Sequence, residues 1–287
     1  MAIRIGLCLI LFALPTVARS AEPAWIADPR TGCRVWNARP TPGEAMAWSG
    51  PCEKGLANGK GVLQWFKNGN PNGREDAEYR DGKLNGAGVI SLVNGDRIEG
   101  EFQDGRLNGR GVYAFGNGNR YEGDFRDNKR HGRGVFRYVN GTRYEGDFKD
   151  DKPNGRGTIH FANGDRYEGE IWNDRLHGRG VSIFANGDRY EGEYRDHKRA
   201  GRGVFTFASG DRYEGEFDDD WLNGDGVIAF ANGDRYEGEV RYNAPHGRGR
   251  YTSRDGSQHT GFWRNGCTRQ GQTWLAVGVP ATACGTE

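Results

Sequence analysis

The sequence has 287 residues, of which 40 are basic and 39 acidic, so its formal net charge is +1. This balance excludes a general nucleic-acid binder, which carries a basic excess, and it lacks the basic excess that is typical of an electrostatic membrane binder. The 48 glycines and the mean hydropathy of −0.85 exclude an ordinary globular core, because too little apolar surface is available for burial.

Residues 1–20 have the features of a secretory signal peptide. Arg4 supplies a positive start, residues 5–14 form a short apolar run, and Ala18-Arg19-Ser20 precedes the expected cut at Ala21. The run is too short to cross a bilayer as a helix, although an uncleaved anchor stays open as an alternative. The sequence therefore predicts a secreted or periplasmic protein that is cleaved near Ser20.

The mature chain retains four cysteines, an even number that favours disulfides in an exported protein. Cys33 and Cys52 flank the start of the central repeats, and Cys267 and Cys284 flank their end. Four cysteines allow three connectivities, and this placement predicts Cys33–Cys52 and Cys267–Cys284. Each bond would staple one end of a repeat array, where strand edges are unpaired. We expect an N-terminal cap at 21–47 and a C-terminal cap at 267–287.

Residues 48–266 repeat with a fixed step of 23 residues. A Tyr-Glu-Gly-acidic core opens the clear units, and Ile98 and His259 hold the same place in degenerate ones. The clear units start at Tyr121, Tyr144, Tyr167, Tyr190, Tyr213 and Tyr236. Gly-Arg-Gly follows eleven residues after each start, except that Gly-Asp-Gly occupies 224–226. A fixed step of this length predicts an array in which each unit stacks on its neighbours.

The unit Tyr-Glu-Gly-Glu-Phe, followed by Gly-Arg-Gly-Val, resembles the MORN repeat, named for membrane occupation and recognition nexus. The resemblance covers about 48–266 and depends on many glycines and aromatic residues in register. It implies an elongated sheet of β-hairpins that serves as an interaction or assembly module. The resemblance also implies a contact with membrane lipids as a further role. It gives no catalytic residue.

Each unit predicts two strands when its tyrosine is numbered position 0. Positions 0, 2 and 4 are aromatic, glycine or apolar, whereas positions 1 and 3 are acidic, which is the period of a strand. A second strand covers positions 11 to 17, and Ala-Asn-Gly-Asp between units is a hairpin signal. To place the apolar residues of both strands on the same face, the loop between units must have three residues, with its glycine in the left-handed region. Within each unit we expect a six-residue turn at positions 5 to 10, which gives the same parity. The predicted fold is all-β: an elongated, twisted antiparallel sheet of stacked 23-residue β-hairpins with disulfide-stapled ends.

The register separates the two faces of this sheet. On one face, rings at positions 0, 4 and 15 border glycines at positions 2, 11 and 13, which predicts a shallow glycine-floored groove for a partner. The alternative is a structural role, in which the rings only cover the sheet. The candidate groove residues are Tyr121, Phe125, Phe136, Tyr144, Phe148, Tyr167, Tyr190, Phe205 and Tyr213. On the other face, acidic residues at position 3 alternate with arginines at position 12, a ladder that Asp225 interrupts.

Basic residues cluster in two of the turns after the first strand of a unit. They are Arg126, Lys129, Arg130, Arg195, Lys198 and Arg199. Acidic neighbours dilute both clusters, so the pattern predicts either hydrophilic turns or a weak contact with an anionic surface.

The sequence lacks the nucleophile, zinc-protease and phosphate-loop motifs of common enzymes. His131 and His177 lie two repeats apart, about 19 Å, which is too far for one metal ion, and His246 occupies the same turn position. We therefore expect no enzyme activity, cofactor or metal site. The favoured function is an exported scaffold that binds a protein or peptide through its repeat surface. Binding of a cell-wall glycan or an anionic lipid membrane is the alternative, and nucleic acid is not expected.

Overall fold

The computed structural model describes residues 22–285, so the expected signal peptide lies outside the described part. Strands make up 66% of the structure, and the described residues contain no α-helix and a 3-10 turn at Ala281–Ala283. This part of the chain therefore contains no helix that could span a membrane.

The strands follow one another closely along the chain. In chain order they are β1 (Ala24–Ala27), β2 (Arg34–Asn37), β3 (Glu44–Trp48), β4 (Cys52–Glu53), β5 (Leu56–Ala57), β6 (Gly59–Lys67), β7 (Asn70–Arg80), β8 (Lys83–Ser91), β9 (Arg97–Gln103), β10 (Arg106–Ala114), β11 (Arg120–Arg126), β12 (Lys129–Arg137), β13 (Arg143–Lys149), β14 (Lys152–His160), β15 (Arg166–Trp172), β16 (Arg175–Ile183), β17 (Arg189–Arg195), β18 (Lys198–Thr206), β19 (Arg212–Asp218), β20 (Trp221–Ala229), β21 (Arg235–Arg241), β22 (Ala244–Thr252), β23 (Gln258–Trp263), β24 (Cys267–Gln270) and β25 (Thr273–Ala276).

One long, open antiparallel sheet of 19 strands carries the repeats. It begins at β3 and continues in chain order from β6 to β23, and each strand pairs with the next. Because consecutive strands are also neighbours in space, the array is a stack of hairpins. The predicted all-β antiparallel sheet of hairpin repeats is confirmed.

A small sheet lies at each end of the array. At the N-terminal end, four strands follow the order β1-β2-β5-β4, and at the C-terminal end β24 pairs with β25. Disulfides join Cys33 to Cys52 and Cys267 to Cys284, with Cα separations of 5.8 and 5.6 Å. Both predicted pairings are confirmed.

The loop between units is the three-residue hairpin that parity predicts. In the loop at 162–164, the N–H of Gly164 donates to the carbonyl of Phe161 at 3.1 Å, and the N–H of Phe161 donates to the carbonyl of Asp165 at 2.9 Å. Gly164 has φ +94°, a left-handed conformation that glycine adopts without strain. The expected turn with a glycine bulge is therefore confirmed.

The turn inside each unit differs from the six-residue turn that we expected. Strands β11 and β12 stay paired as far as Arg126 and Lys129, so only Asp127 and Asn128 reverse the chain. These two residues have φ of +50° and +67°, as a tight type I′ turn requires. The expectation was wrong because the second strand begins before the Gly-Arg-Gly signature, on the far side of a bulge.

That bulge restores the alternation of faces after the short turn. Residues 131–133 lie opposite Asp124 alone. Gly132 has φ +60°, and Oδ2 of Asp124 accepts the backbone N–H of Arg133 at 3.0 Å. Within a unit, position 4 therefore faces position 9, whereas the expected pair of positions 4 and 11 forms between units, as in Gly132 opposite Phe148.

The tyrosine of each clear unit packs on a floor of glycines. Tyr167 is fully buried, and its hydroxyl donates to the carbonyl of Glu170 at 2.7 Å. A Cβ added to Gly180 would lie 2.5 Å from the Tyr167 ring, and one added to Gly169 would lie 2.5 Å from its hydroxyl. Only glycine leaves room for the ring, which explains the residue type at positions 2 and 13.

We predict that Gly180→Ala lowers the free energy of unfolding by about 2 kcal/mol, because overpacking against a buried ring typically costs about 1 to 3 kcal/mol. Urea unfolding followed by circular dichroism measures the change. Gly105→Asn is the matched control: Gly105 has open space around it, and Asn128 adopts the same left-handed turn position in the next unit. An unchanged midpoint for Gly180→Ala would contradict the packing of tyrosine on glycine.

Candidate functional site

The candidate groove residues lie in the core of the aromatic face. All nine are buried: Tyr121, Phe125, Phe136, Tyr144, Phe148, Tyr167, Tyr190, Phe205 and Tyr213. The rings fill the space above the glycine floor, so the open groove that we expected is closed. A binding role for these rings stays a prediction from the sequence, and the geometry gives them a structural one.

The buried rings couple neighbouring repeats. Tyr121 packs edge to face against Phe125 of its own unit and Phe148 of the next, with ring centroids 5.0 and 4.9 Å apart. Tyr190 makes the same two contacts, with Tyr194 and Phe217. Such pairs contribute about 0.5 to 1.5 kcal/mol each beyond their buried area. The aromatic face is therefore a packed layer that joins each hairpin unit to the next.

Most residues of the predicted basic turns are neutralised by the following turn. In the first cluster, Lys129 lies 3.9 Å from Asp150 and Arg130 lies 3.3 Å from Asp151. In the second cluster the pairs and distances are Arg195–Asp218 at 3.2 Å, Lys198–Asp219 at 2.7 Å and Arg199–Asp220 at 3.0 Å. Arg126 makes no ion pair among the described residues. Every basic residue of the two clusters except Arg126 faces an aspartate one unit later. The turns therefore form an edge of alternating positive and negative charges and not a basic patch.

Arg130 and Arg199 have a further structural role. The guanidinium of Arg130 lies over the rings of Tyr121, Phe136 and Phe148, at 5.0 to 5.9 Å from their centroids, and its side chain is only 22% exposed. Arg199 repeats this geometry three units later. Other units carry a leucine or a proline at this position 9, such as Leu107 and Pro153. The replacement of leucine by arginine was the signal in the sequence that these two side chains cover rings.

We predict that Arg130→Ala lowers the free energy of unfolding by about 1 to 2 kcal/mol, because it removes a partly desolvated cation–π contact and a turn hydrogen bond. Arg130→Leu should stay close to the wild type, since Leu107 fills the same place. Thermal unfolding at low and high salt measures both variants, with Arg126→Ala as the exposed control. Equal losses for alanine and leucine would show that the charge alone matters.

The charged face forms an open trough of about 1370 Å³ that extends from Glu99 to Val204. The predicted ladder of acids and arginines forms only in part: Arg133 lies 3.7 Å from Asp147, whereas Arg156 and Arg179 make no ion pair among the described residues. The position 3 carboxylates instead accept the backbone N–H of position 12 in their own unit. The glutamates of position 1 pair with arginines two residues earlier in the chain, as Glu99 does with Arg97 at 2.8 Å. The trough is therefore lined by rows of acidic side chains that run beside a row of arginines.

A row of partly exposed apolar residues escaped the sequence interpretation. We call it the position-17 row: Leu92, Phe115, Tyr138, Phe161, Phe184, Phe207 and Phe230. It lies on the aromatic face beside the loops between units, and Tyr138, Phe161 and Phe207 are 39%, 38% and 36% exposed. The sequence signal was present, because a ring precedes each Ala-Asn-Gly loop, but the pattern alone could not separate exposed rings from buried ones.

Three units carry a histidine at position 10. The Nδ1 atoms of His131, His177 and His246 are buried without a hydrogen-bond partner. In another unit, Asn108 holds this position, and its side-chain oxygen accepts the backbone N–H of Asp127 at 3.0 Å. No group of metal-ligating side chains occurs in the part of the chain that the structure describes.

The repeat that begins at Glu75 contains a half-buried carboxyl group. Glu75 stands where later units have tyrosine, and its oxygens accept hydrogen bonds from the Tyr79 hydroxyl and from Nε1 of Trp65, the latter at 2.8 Å. Burial raises the pKa of Glu75, and these two hydrogen bonds oppose the rise. In this repeat the Glu75 carboxyl group takes the place of the tyrosine hydroxyl as the polar group that packs beside the core.

We predict that the free energy of unfolding falls as the pH rises above about 4.3, the unfolded pKa of Glu75, until the pH reaches its higher folded pKa. The fall should be about 1.4 kcal/mol for each unit between the two pKa values, since the folded state favours the protonated form. Glu75→Gln should remove it. The pH dependence of the urea midpoint tests this, with Glu78→Gln as control, and parallel profiles for Glu75→Gln and wild type would contradict it.

Fold and surfaces together define an open solenoid of β-hairpin repeats. The MORN repeat model matches nine consecutive segments of the chain: 53–70, 76–97, 99–120, 121–143, 144–166, 167–189, 190–212, 213–235 and 236–258. These segments cover most of the sequence, so the chain belongs to the MORN repeat family. MORN repeats are a non-enzymatic module, and they suggest a scaffold for interaction with proteins or membranes.

Comparisons with individual proteins add little to this. No curated protein matches the chain. The TCP domain of SAS-4 from Drosophila melanogaster, solved in complex with a proline-rich motif of Ana2, is 18% identical with a TM-score of 0.35, over 54% of this chain and 85% of that one. The G-box domain of the microcephaly protein CPAP is also 18% identical, with a TM-score of 0.37, over 69% of this chain and 96% of that one. At these scores the likenesses carry no inference about partners.

Proposed function

We propose that the protein is an exported, non-enzymatic scaffold that binds a protein or peptide partner through its repeat surface. The carrying observation is the unbroken sheet from β3 to β23, which displays the same side chains at every second strand. Strands lie about 4.8 Å apart, so each row of residues recurs at about 9.6 Å. A long surface with one short period suits an extended polymer better than a compact small molecule, which would need a concave, enclosed pocket.

Export is supported by two independent features. Residues 1–20 have the order of a signal peptide, and the two disulfides at the ends of the array suit an oxidising compartment. A secreted or periplasmic protein meets partners outside the cytosol, where a stapled solenoid resists unfolding from its ends.

A protein partner is favoured over a lipid surface by the turn edge. Lys129, Arg130 and the second basic cluster already face aspartates, so little positive charge remains for lipid headgroups. A cell-wall glycan is the second candidate, because the indoles of Trp172 and Trp221 are 55% and 48% exposed and offer flat faces for sugar rings.

Site-directed photo-crosslinking in the native cells tests the proposal. A photoreactive residue is placed singly at Tyr138 on the aromatic face, Arg156 in the trough or Arg126 at the turn edge. Arg39, in the N-terminal cap and exposed, is the matched control. We expect one protein, identified by mass spectrometry, to crosslink from an array position and not from Arg39. Adducts from Arg39 alone would place binding outside the array, and wall fragments without protein would favour the glycan.

The same material tests export. We expect the purified protein to begin near Ala21 and to show both disulfides in peptide maps made without reduction. An intact Met1 together with free thiols at Cys33 and Cys52 would contradict export.

A further inference from the structure

We propose that the position-17 row from Phe161 to Phe230 binds a basic, proline-rich segment in the polyproline II conformation. This inference rests on the proposed function and names the class of partner and the part of the surface that binds it.

The rings of this row pack against buried rings of the core. Phe205, a buried position 15 residue, packs between Phe184 and Phe207, with ring centroids 6.0 and 4.5 Å away. The same arrangement holds Phe115 and Tyr138 on either side of Phe136. Because the floor is part of the core, the rings form fixed ridges that lose little entropy when a ligand covers them.

Carboxylates alternate with the rings along the same row. The backbone of each of the aspartates Asp165, Asp188 and Asp211 pairs across the loop with the ring residue of the preceding unit. The N–H of Phe161 donates to the carbonyl of Asp165, and Asp188 and Asp211 accept in the same way. One carboxylate oxygen of Asp165 accepts the N–H of Ala185, in the next loop between units, at 2.8 Å. Asp188 and Asp211 each accept the corresponding N–H of the loop that follows them. The side chains are therefore held in place. None of the three has a cationic partner in the described part, so the row carries fixed negative charge between apolar ridges.

Carboxylates in consecutive units distinguish this half of the row from the other half. Asn119 and Thr142 hold the equivalent places between the earlier rings, and they accept the same backbone N–H with neutral side chains. Asp96 holds this place one unit before Asn119, where it also accepts the hydroxyl of Tyr113 at 2.6 Å. A basic ligand that contacts carboxylates in consecutive units is therefore directed to the stretch from Phe161 to Phe230.

The spacing of the row selects the conformation of the ligand. Successive rings are two strands apart, about 9.6 Å. A polyproline II helix has three residues per turn and a rise of about 3.1 Å, so its period is about 9.3 Å. A segment that runs along the array can then place the same residue on every ring, whereas an extended β-strand or an α-helix cannot keep this period. Proline at every third position contacts the rings, and lysine or arginine beside it reaches the carboxylates.

The test uses the mature full-length protein and a fluorescein-labelled peptide of four Lys-Pro-Pro triplets, about 37 Å long in this conformation. Fluorescence anisotropy measures its binding beside three comparison peptides. One has the same composition in an order without the three-residue period, one has glycine for proline, and one has glutamate for lysine. We expect the periodic basic peptide to bind at least about tenfold more tightly than each of the others.

Two sets of substitutions separate the rings from the charges, and circular dichroism checks that each set keeps the fold. The leucine set, Phe184→Leu with Phe207→Leu, introduces the residue that Leu92 has at this position. The charge set introduces the residue of Asn119, which keeps the backbone hydrogen bond and gives up the side-chain bond within the loop. It consists of Asp165→Asn, Asp188→Asn and Asp211→Asn. Each set should weaken the periodic peptide about tenfold, and the charge set should also flatten the salt dependence. Trp172→Leu with Trp221→Leu removes exposed rings away from the row and should change affinity less than about twofold.

Equal binding of periodic and aperiodic peptides, or no loss in the leucine set, would overturn the inference. So would sedimentation showing a dimer that the leucine set dissociates, because a second copy would then cover the row. Polysaccharide retention that the leucine set abolishes, without peptide binding, would assign the row to a glycan. If photo-crosslinking identifies a protein partner whose capture the leucine set leaves intact, this inference fails while the proposed function stands.

Discussion

The packing of a tyrosine ring on bare glycine backbone is the constraint on which the rest of the structure depends. Tyr144 lies over Gly146 and Gly157, and its hydroxyl donates to the carbonyl of Asp147 at 2.8 Å. The contact brings a large ring close to the sheet, so a single layer of strands gains a core without a second sheet. Because each ring also touches the next unit, burial is shared between neighbours, and stability becomes a sum of units and interfaces.

The bulge after each turn explains why so many charged residues are unavailable to a partner. A left-handed glycine at position 11 leaves a backbone N–H that the position 3 carboxylate accepts, as Glu239 does for Arg248 at 3.0 Å. Asp151 and Asp220 are similarly engaged by the arginines of the preceding turn. Charge in this sequence is therefore mostly structural. The surfaces that remain for binding are those where the repeat leaves a side chain without an internal partner.

Differences between units show how the array tolerates change. Tyr194 stands where four other units have phenylalanine. Its hydroxyl is 2.6 Å from that of Ser182, a small residue where other units have a ring or isoleucine. In a comparable way, the repeat that begins at Glu75 has a carboxyl group where later units have tyrosine, and the Tyr79 hydroxyl donates to it. At both places the polar atom that enters the core has a hydrogen-bond partner there, which avoids the cost of an unpaired buried group.

The sequence by itself determined the repeat length, the strand pairing parity and the three-residue loop between units. The parity and the loop follow from local rules, because side chains alternate in a strand and Ala-Asn-Gly-Asp specifies one turn geometry. The sequence allowed three disulfide connectivities, and the position of the cysteines at the two ends of the array favoured the pairing that the structure shows. Only the tertiary structure decided the two-residue turn at Asp127 and Asn128, since the bulge depends on a hydrogen bond between strands. It also decided which rings are buried. Tyr167 and Phe161 follow the same period-two pattern, but one lies over glycine in the middle of the sheet and the other at its margin, beside a loop.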